Sequence, residues 1–280
     1  MASNLVKASH DVTAFDLSEA ALAKAAKNGC ARAKSAGEAV RNADAVVTML
    51  PAGKHVRAVW AEIVPQAKAG AVIVDSSTID VESARAAHAV AAEHGLKSLD
   101  APVSGGTGGA RAGTLTFMCG GSGEAFAAAK PILEKMGKRI VHCGGDGAGQ
   151  AAKICNNMIL GATMIVTCEA FVLAEKLGLS HQALFDVAST SSGQSWSLTT
   201  YCPVPGPVPG SPANNSYKPG FAAALMLKDL KLAQEAAQSA GAETPIGAHA
   251  AELYEKYNEA GNEGADFSGI IQYLRTAKSN

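Results

Sequence analysis

The feature that most constrains this chain is a row of short, unbroken apolar runs separated by Ala-rich stretches. Ala45-Val-Val-Thr-Met-Leu50 is stopped by Pro51, and Ala71-Val-Ile-Val-Asp75 leads into Ser76-Ser77-Thr78. Leu96 to Ala101 is a weaker run of the same kind. A strand that is apolar on both faces must be covered on both faces, as happens in parallel sheets whose crossovers are helices. Thr114 to Cys119 and Arg139 to Cys143 add two further strands, the second ending at Gly144-Gly145. Near the start, Ala2 to Ala8 reads as the tail of a helix and Val12 to Asp16 as a strand. Ser18, with Glu19 behind it, caps a helix that runs to about Asn28 before Gly29.

The second half differs. After Gly147 a long apolar helix is expected over 148–177. Beyond it come helical patterns only, at about 181–190, 221–240 and 245–260, with a last one at 267–276. The long helix is apolar from Met158 to Ala174 except for Thr163, Thr167 and Glu169. That is slightly short for a membrane span and carries an acid, so a buried core helix is the better reading. The stretch Pro203 to Pro219 is too rich in Pro, Gly and Asn for a helix or a central strand. On composition alone an ordered loop and a flexible linker are equally open for it. The fold class expected is α/β followed by all-α, with domains at 1–146 and 147–280.

With 280 residues, 48% of them hydrophobic, the chain can bury a large core. Its formal net charge of -1 and the lack of any Lys/Arg run argue against nucleic acid and anionic membranes as partners. The six Cys are scattered with no Cys-x-x-Cys pair, which fits reduced thiols better than a disulfide frame or a zinc site, and no metal site is expected.

Several residues carry chemistry. Asp16 closes a strand in a strand–helix context. An acid there accepts hydrogen bonds from a ribose 2′-hydroxyl and repels a 2′-phosphate, favouring NAD over NADP. Leu50-Pro51 and Ser77-Thr78 follow parallel strands, the place where ligands of open α/β sheets bind. Taken alone, both are ordinary turn chemistry. In Asp100-Ala-Pro-Val-Ser-Gly-Gly-Thr107 a strand ends, Pro fixes the turn, and Ser104-Gly105-Gly106 exposes a hydroxyl and open backbone amides suited to a carboxylate. Lys153 and Asn157 stand four apart and share one face of the long helix, with Gln150 on that face as well. A Lys in an apolar helix is costly to bury without a task or partner. Free Lys titrates at about 10.4, and desolvation beside a cationic nicotinamide ring would bring it toward use as a general base. Lys228-Asp229-Leu230-Lys231, alone, is an ordinary solvated charge run.

Together these pieces resemble the β-hydroxyacid dehydrogenase family over nearly the whole chain. The matching motifs are Asp100-Ala-Pro-Val-Ser-Gly-Gly106, Gly147-Ala-Gly-Gln-Ala-Ala-Lys153-Ile-Cys-Asn-Asn157 and Lys228-Asp-Leu230. Ser191-Ser-Gly-Gln-Ser-Trp196, followed by Pro203-Val-Pro-Gly206 and Asn214-Asn215, is similar to the branch acting on 3-hydroxyisobutyrate. That similarity tips the Pro-rich stretch toward an ordered loop. The resemblance implies a Rossmann-type NAD-binding domain, a long connecting helix and a helical domain that builds a homodimer or homotetramer. It implies NAD-dependent oxidation of 3-hydroxyisobutyrate to methylmalonate semialdehyde, a step of valine breakdown. Lys153 would be the general acid/base, and Asn157 would orient the substrate or Lys153. Ser104, Gly105 and Gly106 would hold the substrate carboxylate, while Leu50, Pro51, Thr78 and Lys228 would contact the cofactor. Relatives acting on tartronate semialdehyde, serine or a related acid are the nearest rivals, and a non-catalytic binding module or inactive fragment is the rival from another class. The location implied is the cytoplasm of a bacterium or a mitochondrial matrix.

The family opens with a strand and Gly-x-Gly-x-Met-Gly-x-x-Met-Ala, and Met1-Ala2 matches the last two of those positions. About twenty residues are therefore expected to precede Met1 in the gene product. Without that central strand the sheet should fall into two halves with no common neighbour, and the chain should neither fold normally nor bind NAD.

Overall fold

The computed structural model describes residues 1–276, and the chain divides into two compact units, Met1–Lys153 and Ile154–Asn280. In the first unit the order is α1 (Ala2–Lys7), β1 (Thr13–Ala14), α2 (Glu19–Lys27), β2 (Ala31–Arg32), α3 (Ala36–Val40), β3 (Ala45–Thr48), α4 (Gly53–Ile63), β4 (Val72–Asp75), α5 (Val81–Glu93) and β5 (Lys97–Asp100). It continues with β6 (Val103–Ser104), α6 (Gly106–Ala112), β7 (Leu115–Gly120), α7 (Gly123–Leu133) and β8 (Gly137–Gly144). The helix α8 (Ala148–Lys176) begins in this unit and runs on into the second. Local chemistry sets the helix starts: the hydroxyls of Ser18, Ser35 and Ser122 and the carboxylate of Asp80 each accept an N–H of the first turn.

Strands β1 and β2 pair in parallel as a sheet of their own, unjoined to the six-stranded sheet β3-β4-β5-β7-β6, in which β8 pairs β7. Strands β3, β4 and β5 are parallel and in register, so that Thr48, Asp75 and Asp100 end side by side. The sheet is not parallel throughout, however: β7 runs antiparallel to both β5 and β6. The reversal has a local cause. Gly105 and Gly106, with φ of 125° and 58°, end β6, and Gly113, with φ of 71°, ends the short helix that leads back into β7. The Gly-rich stretch that follows β6 forms this short helix, α6. Two apolar layers cover the sheet. One gathers Val56, Trp60, Ile63 and Ile73, and the other Val74, Leu99, Leu115, Phe117 and Leu133.

The second unit holds the rest of α8, then α9 (His181–Ala188), α10 (Trp196–Thr199), α11 (Ala223–Ala240), α12 (Pro245–Tyr257) and α13 (Ile270–Thr276). Its core gathers Met164, Cys168 and Phe171 of α8 with Met226 and Leu230 of α11, Tyr254 of α12 and Ile270 of α13. Among the described residues α8 alone is long and apolar enough to cross a membrane, but Met164, Cys168 and Phe171 are fully buried against these neighbours. The Pro-rich stretch is an ordered loop. Val204 is fully buried, the Ser211 hydroxyl donates to Cys202 O, the Asn214 amide bridges Gly206 N and Val208 O, and the Tyr217 hydroxyl donates to Pro203 O. No Cys is in a disulfide, and burial pushes the Cys119 thiol up to about 12.

Candidate active site

In the first unit the carboxyl ends of β3, β4 and β5 and the first turns of α8 meet in a buried polar system. Its centre is Asp100, 2% exposed at the end of β5. Its Oδ1 accepts from Gly147 N at 2.9 Å and lies 2.9 Å from His88 Nε2, and its Oδ2 accepts from Gln150 N at 2.8 Å. A carboxylate that satisfies amides at a helix start is stabilised by them and by the helix dipole. His88, on α5, meets Ser98 Oγ through its other ring nitrogen, Nδ1, at 2.7 Å.

Two glycines let α8 come this close. A Cβ on Gly149 would fall 2.3 Å from Met118 O and 2.6 Å from Asp100 O. A Cβ on Gly120 would fall 2.4 Å from Asp100 Oδ1. The helix start therefore rests backbone against backbone on the strand ends.

Gln150 is fully buried and uses both ends of its amide: Oε1 accepts from Ile79 N at 3.1 Å, and Nε2 donates to Ser77 O at 2.8 Å. One helical turn later stands Lys153, 6% exposed. Deeper in the sheet, Asp75 Oδ1 accepts from Thr48 Oγ1 at 2.7 Å and Ser77 Oγ at 2.6 Å. Ser77 Oγ accepts in turn from Leu50 N at 2.7 Å, and Thr48 Oγ1 from Trp60 Nε1 at 3.1 Å. Asp75 thus ties the two strand-end loops, Leu50-Pro51 and Ser77-Thr78. Its Oδ2 finds no partner among the described residues, and burial pushes its carboxyl above the ordinary range.

The remaining expected residues of this unit are placed as follows. Asp16 is exposed after β1, and its Oδ1 accepts from Ser18 N at 2.8 Å. Ser104 is half-buried in β6, with Gly105 and Gly106 exposed at the turn. In the second unit Asn157 is 1% exposed, and its Nδ2 donates to Asp229 Oδ2 at 2.5 Å while its Oδ1 accepts from Asn156 Nδ2 at 2.9 Å. Lys228 is half-buried beside it in sequence.

Asp229 corrects the reading of residues 228–231 as a solvated charge run: it is 3% exposed and holds Asn157. A signal existed, because Met226, Asp229, Leu230 and Ala233 are spaced as one buried face of α11. The sequence reading also missed Asp75, His88 and the role of Asp100 in holding α8.

Residues 1–145 match the family model described as the NAD binding domain of 6-phosphogluconate dehydrogenase. Residues 147–274 match the model described as NAD-binding of NADP-dependent 3-hydroxyisobutyrate dehydrogenase. A Mycobacterium tuberculosis protein named probable 3-hydroxyisobutyrate dehydrogenase is 52% identical over 275 residues, covering 98% of this chain and 93% of its own. A Pseudomonas aeruginosa NAD-dependent L-serine dehydrogenase is 46% identical over 277 residues, covering 98% of this chain and 93% of its own. Among solved structures, a Mycobacterium tuberculosis 3-hydroxyisobutyrate dehydrogenase with L-serine superposes with a TM-score of 0.95 at 52% identity, covering 98% of this chain and 94% of that one.

Proposed function

This chain belongs to the β-hydroxyacid dehydrogenase family, the family of the 3-hydroxyisobutyrate dehydrogenases, and from that premise we propose that it oxidises 3-hydroxyisobutyrate to methylmalonate semialdehyde with NAD, within valine breakdown. The observation that carries the reading is Lys153. It is 6% exposed in an apolar helix, one turn after a start held by Asp100 and Gln150. A lysine buried in an apolar helix needs a task or a partner, and proton transfer with the substrate hydroxyl is the task assigned to it here.

The residues present fit the cofactor at two points. Asp16 is an exposed acid at a strand end, and the loops Leu50-Pro51 and Ser77-Thr78 stand at the ends of parallel strands. Lys228 is assigned to the cofactor as well. Bound NAD supplies the hydride acceptor. In this proposal Lys153 Nζ takes the hydroxyl proton, Asn157, held by Asp229, orients the substrate or Lys153, and the Ser104 hydroxyl with the Gly105 and Gly106 amides holds the carboxylate. Lys153→Ala is expected to lose turnover by roughly 100-fold or more while NAD still stabilises the protein against heat. Activity within a few-fold of the parent would overturn the assignment.

A second reading is oxidation of L-serine, favoured by the 46% identical Pseudomonas aeruginosa L-serine dehydrogenase. Both substrates place a primary alcohol two carbons from a carboxylate, so one site fits either. Comparing kcat/KM for NAD-dependent oxidation of 3-hydroxyisobutyrate, L-serine and glycerate, the alcohol form of tartronate semialdehyde, decides between them. A third reading is a non-catalytic binding module, and titrating NAD while following stability tests it: no shift means no cofactor site.

Residues 1–146 are assigned as the NAD-binding domain and 147–280 as the helical substrate and oligomerisation domain. A homodimer or homotetramer is favoured by Ile159, Val166 and Leu173, which recur every seventh residue on α8 and are 62%, 57% and 59% exposed. Light scattering on the purified chain reads the state directly. The reading places the protein in a bacterial cytoplasm or a mitochondrial matrix.

A further inference from the structure

We propose that Gln150 is a positioning residue for the oxidation, clasping the cofactor loop to the helix turn that carries Lys153. The inference rests on the assignment of Lys153 as proton acceptor and Thr78 as cofactor contact. Gln150 Nε2 donates to Ser77 O and its Oε1 accepts from Ile79 N. These are the backbone groups on either side of Thr78, so one amide brackets the residue assigned to the cofactor. The backbone N–H of the same Gln150 donates to Asp100 Oδ2 at the end of β5. One residue thus fixes three parts to each other: the loop after β4, the end of β5 and the first turn of α8.

The chemistry gives this clasp a purpose. The oxidation takes a hydride from carbon and a proton from oxygen of one C–O unit. The two acceptors must therefore be held at a set separation. A Gln with no exposed surface is an expensive way to fill space, because both ends of its amide must find partners. Leu or Met would fill the same volume. What they cannot do is bind the two peptide groups around Thr78.

The test is steady-state kinetics of Gln150→Leu and Gln150→Glu at saturating NAD, with 3-hydroxyisobutyrate carrying hydrogen or deuterium at C3. Gln150→Leu removes both bonds. Gln150→Glu keeps an acceptor for Ile79 N and sets a second acceptor against Ser77 O. For Gln150→Leu the expected result is a kcat lower by roughly 10- to 100-fold, a larger deuterium isotope effect than in the parent, and a KM for the hydroxy acid within about threefold. Gln150→Glu should fall between Gln150→Leu and the parent and also show a raised isotope effect. Should Gln150→Leu not fold, Gln150→Glu and Gln150→Asn carry the same test. The proposal is overturned if kcat stays at the parent level, or if kcat falls with an unchanged isotope effect, which is what a loss of folded protein would give. Lys153→Ala is measured alongside. If it stays active, the base assignment fails. If it is inactive while the Gln150 variants match the parent, only the clasp fails.

Discussion

Asp75 and Asp100 end neighbouring strands and are register partners, yet the fold treats them in opposite ways. Asp100 faces two backbone N–H groups at the start of α8 and the His88 ring, and both of its oxygens are engaged. Asp75 has two hydroxyl donors, both on Oδ1, and its Oδ2 has no partner among the described residues. Burial and the negative charge of Asp100 push the Asp75 carboxyl upward, and the two hydroxyls only partly offset that. Two buried acids of the same type in one sheet therefore do different work. Two backbone N–H groups at a helix start let one anchor that helix. The other is a hydrogen-bond hub whose charge the interior disfavours.

The largest test of this contrast is Asp100→Ala. It strands two amide N–H groups and a histidine in the interior and should destabilise the protein by about 3 kcal/mol or more, read by urea unfolding. A cost no greater than that of Asp75→Ala would break the comparison. A smaller effect is expected from Thr48→Val, which takes one donor from Asp75 and the acceptor from Trp60 Nε1. It should cost about 1–2 kcal/mol by the same measurement.

The smallest effect sharpens the contrast through pH. A group whose folded pKa lies above its unfolded value favours folding most below the unfolded pKa, near 3.9 for Asp. That contribution is lost as pH rises through the folded value. Asp75 should thus make the protein less stable from about pH 4 upward, and Asp75→Asn should remove this slope. The two melting curves should coincide near pH 4 and separate in favour of the variant by pH 8. Parallel melting temperatures across that range would show that Asp75 carries no such penalty.

The candidate residues that the sequence offers are those marked by local spacing. Lys153 and Asn157 stand four apart in an apolar helix, and Ser104-Gly105-Gly106 follows a strand and a Pro. What was not legible depends on pairs far apart in the chain. Asp229 looks like part of a charge run until α11 is built and its buried face meets Asn157. His88 sits in an Ala-rich helix and gives no sign of facing a carboxylate twelve residues later. Gln150 could be placed on the face of Lys153, but its partners, Ser77 and Ile79, lie more than seventy residues earlier. The antiparallel run of β7 was hidden for a different reason: an apolar run marks a strand covered on both faces, which a mixed sheet can also supply, and Gly105 and Gly106 read as a binding turn.

The close seat of Gly149 and Gly120 has one more consequence. Where side chains separate a helix from a sheet, every rotamer hop lets the helix drift. Here two residues without side chains remove that cushion, so the backbone at the start of α8 moves with the strand ends or not at all. The turn that carries Lys153 is therefore fixed to the strand ends by main chain alone.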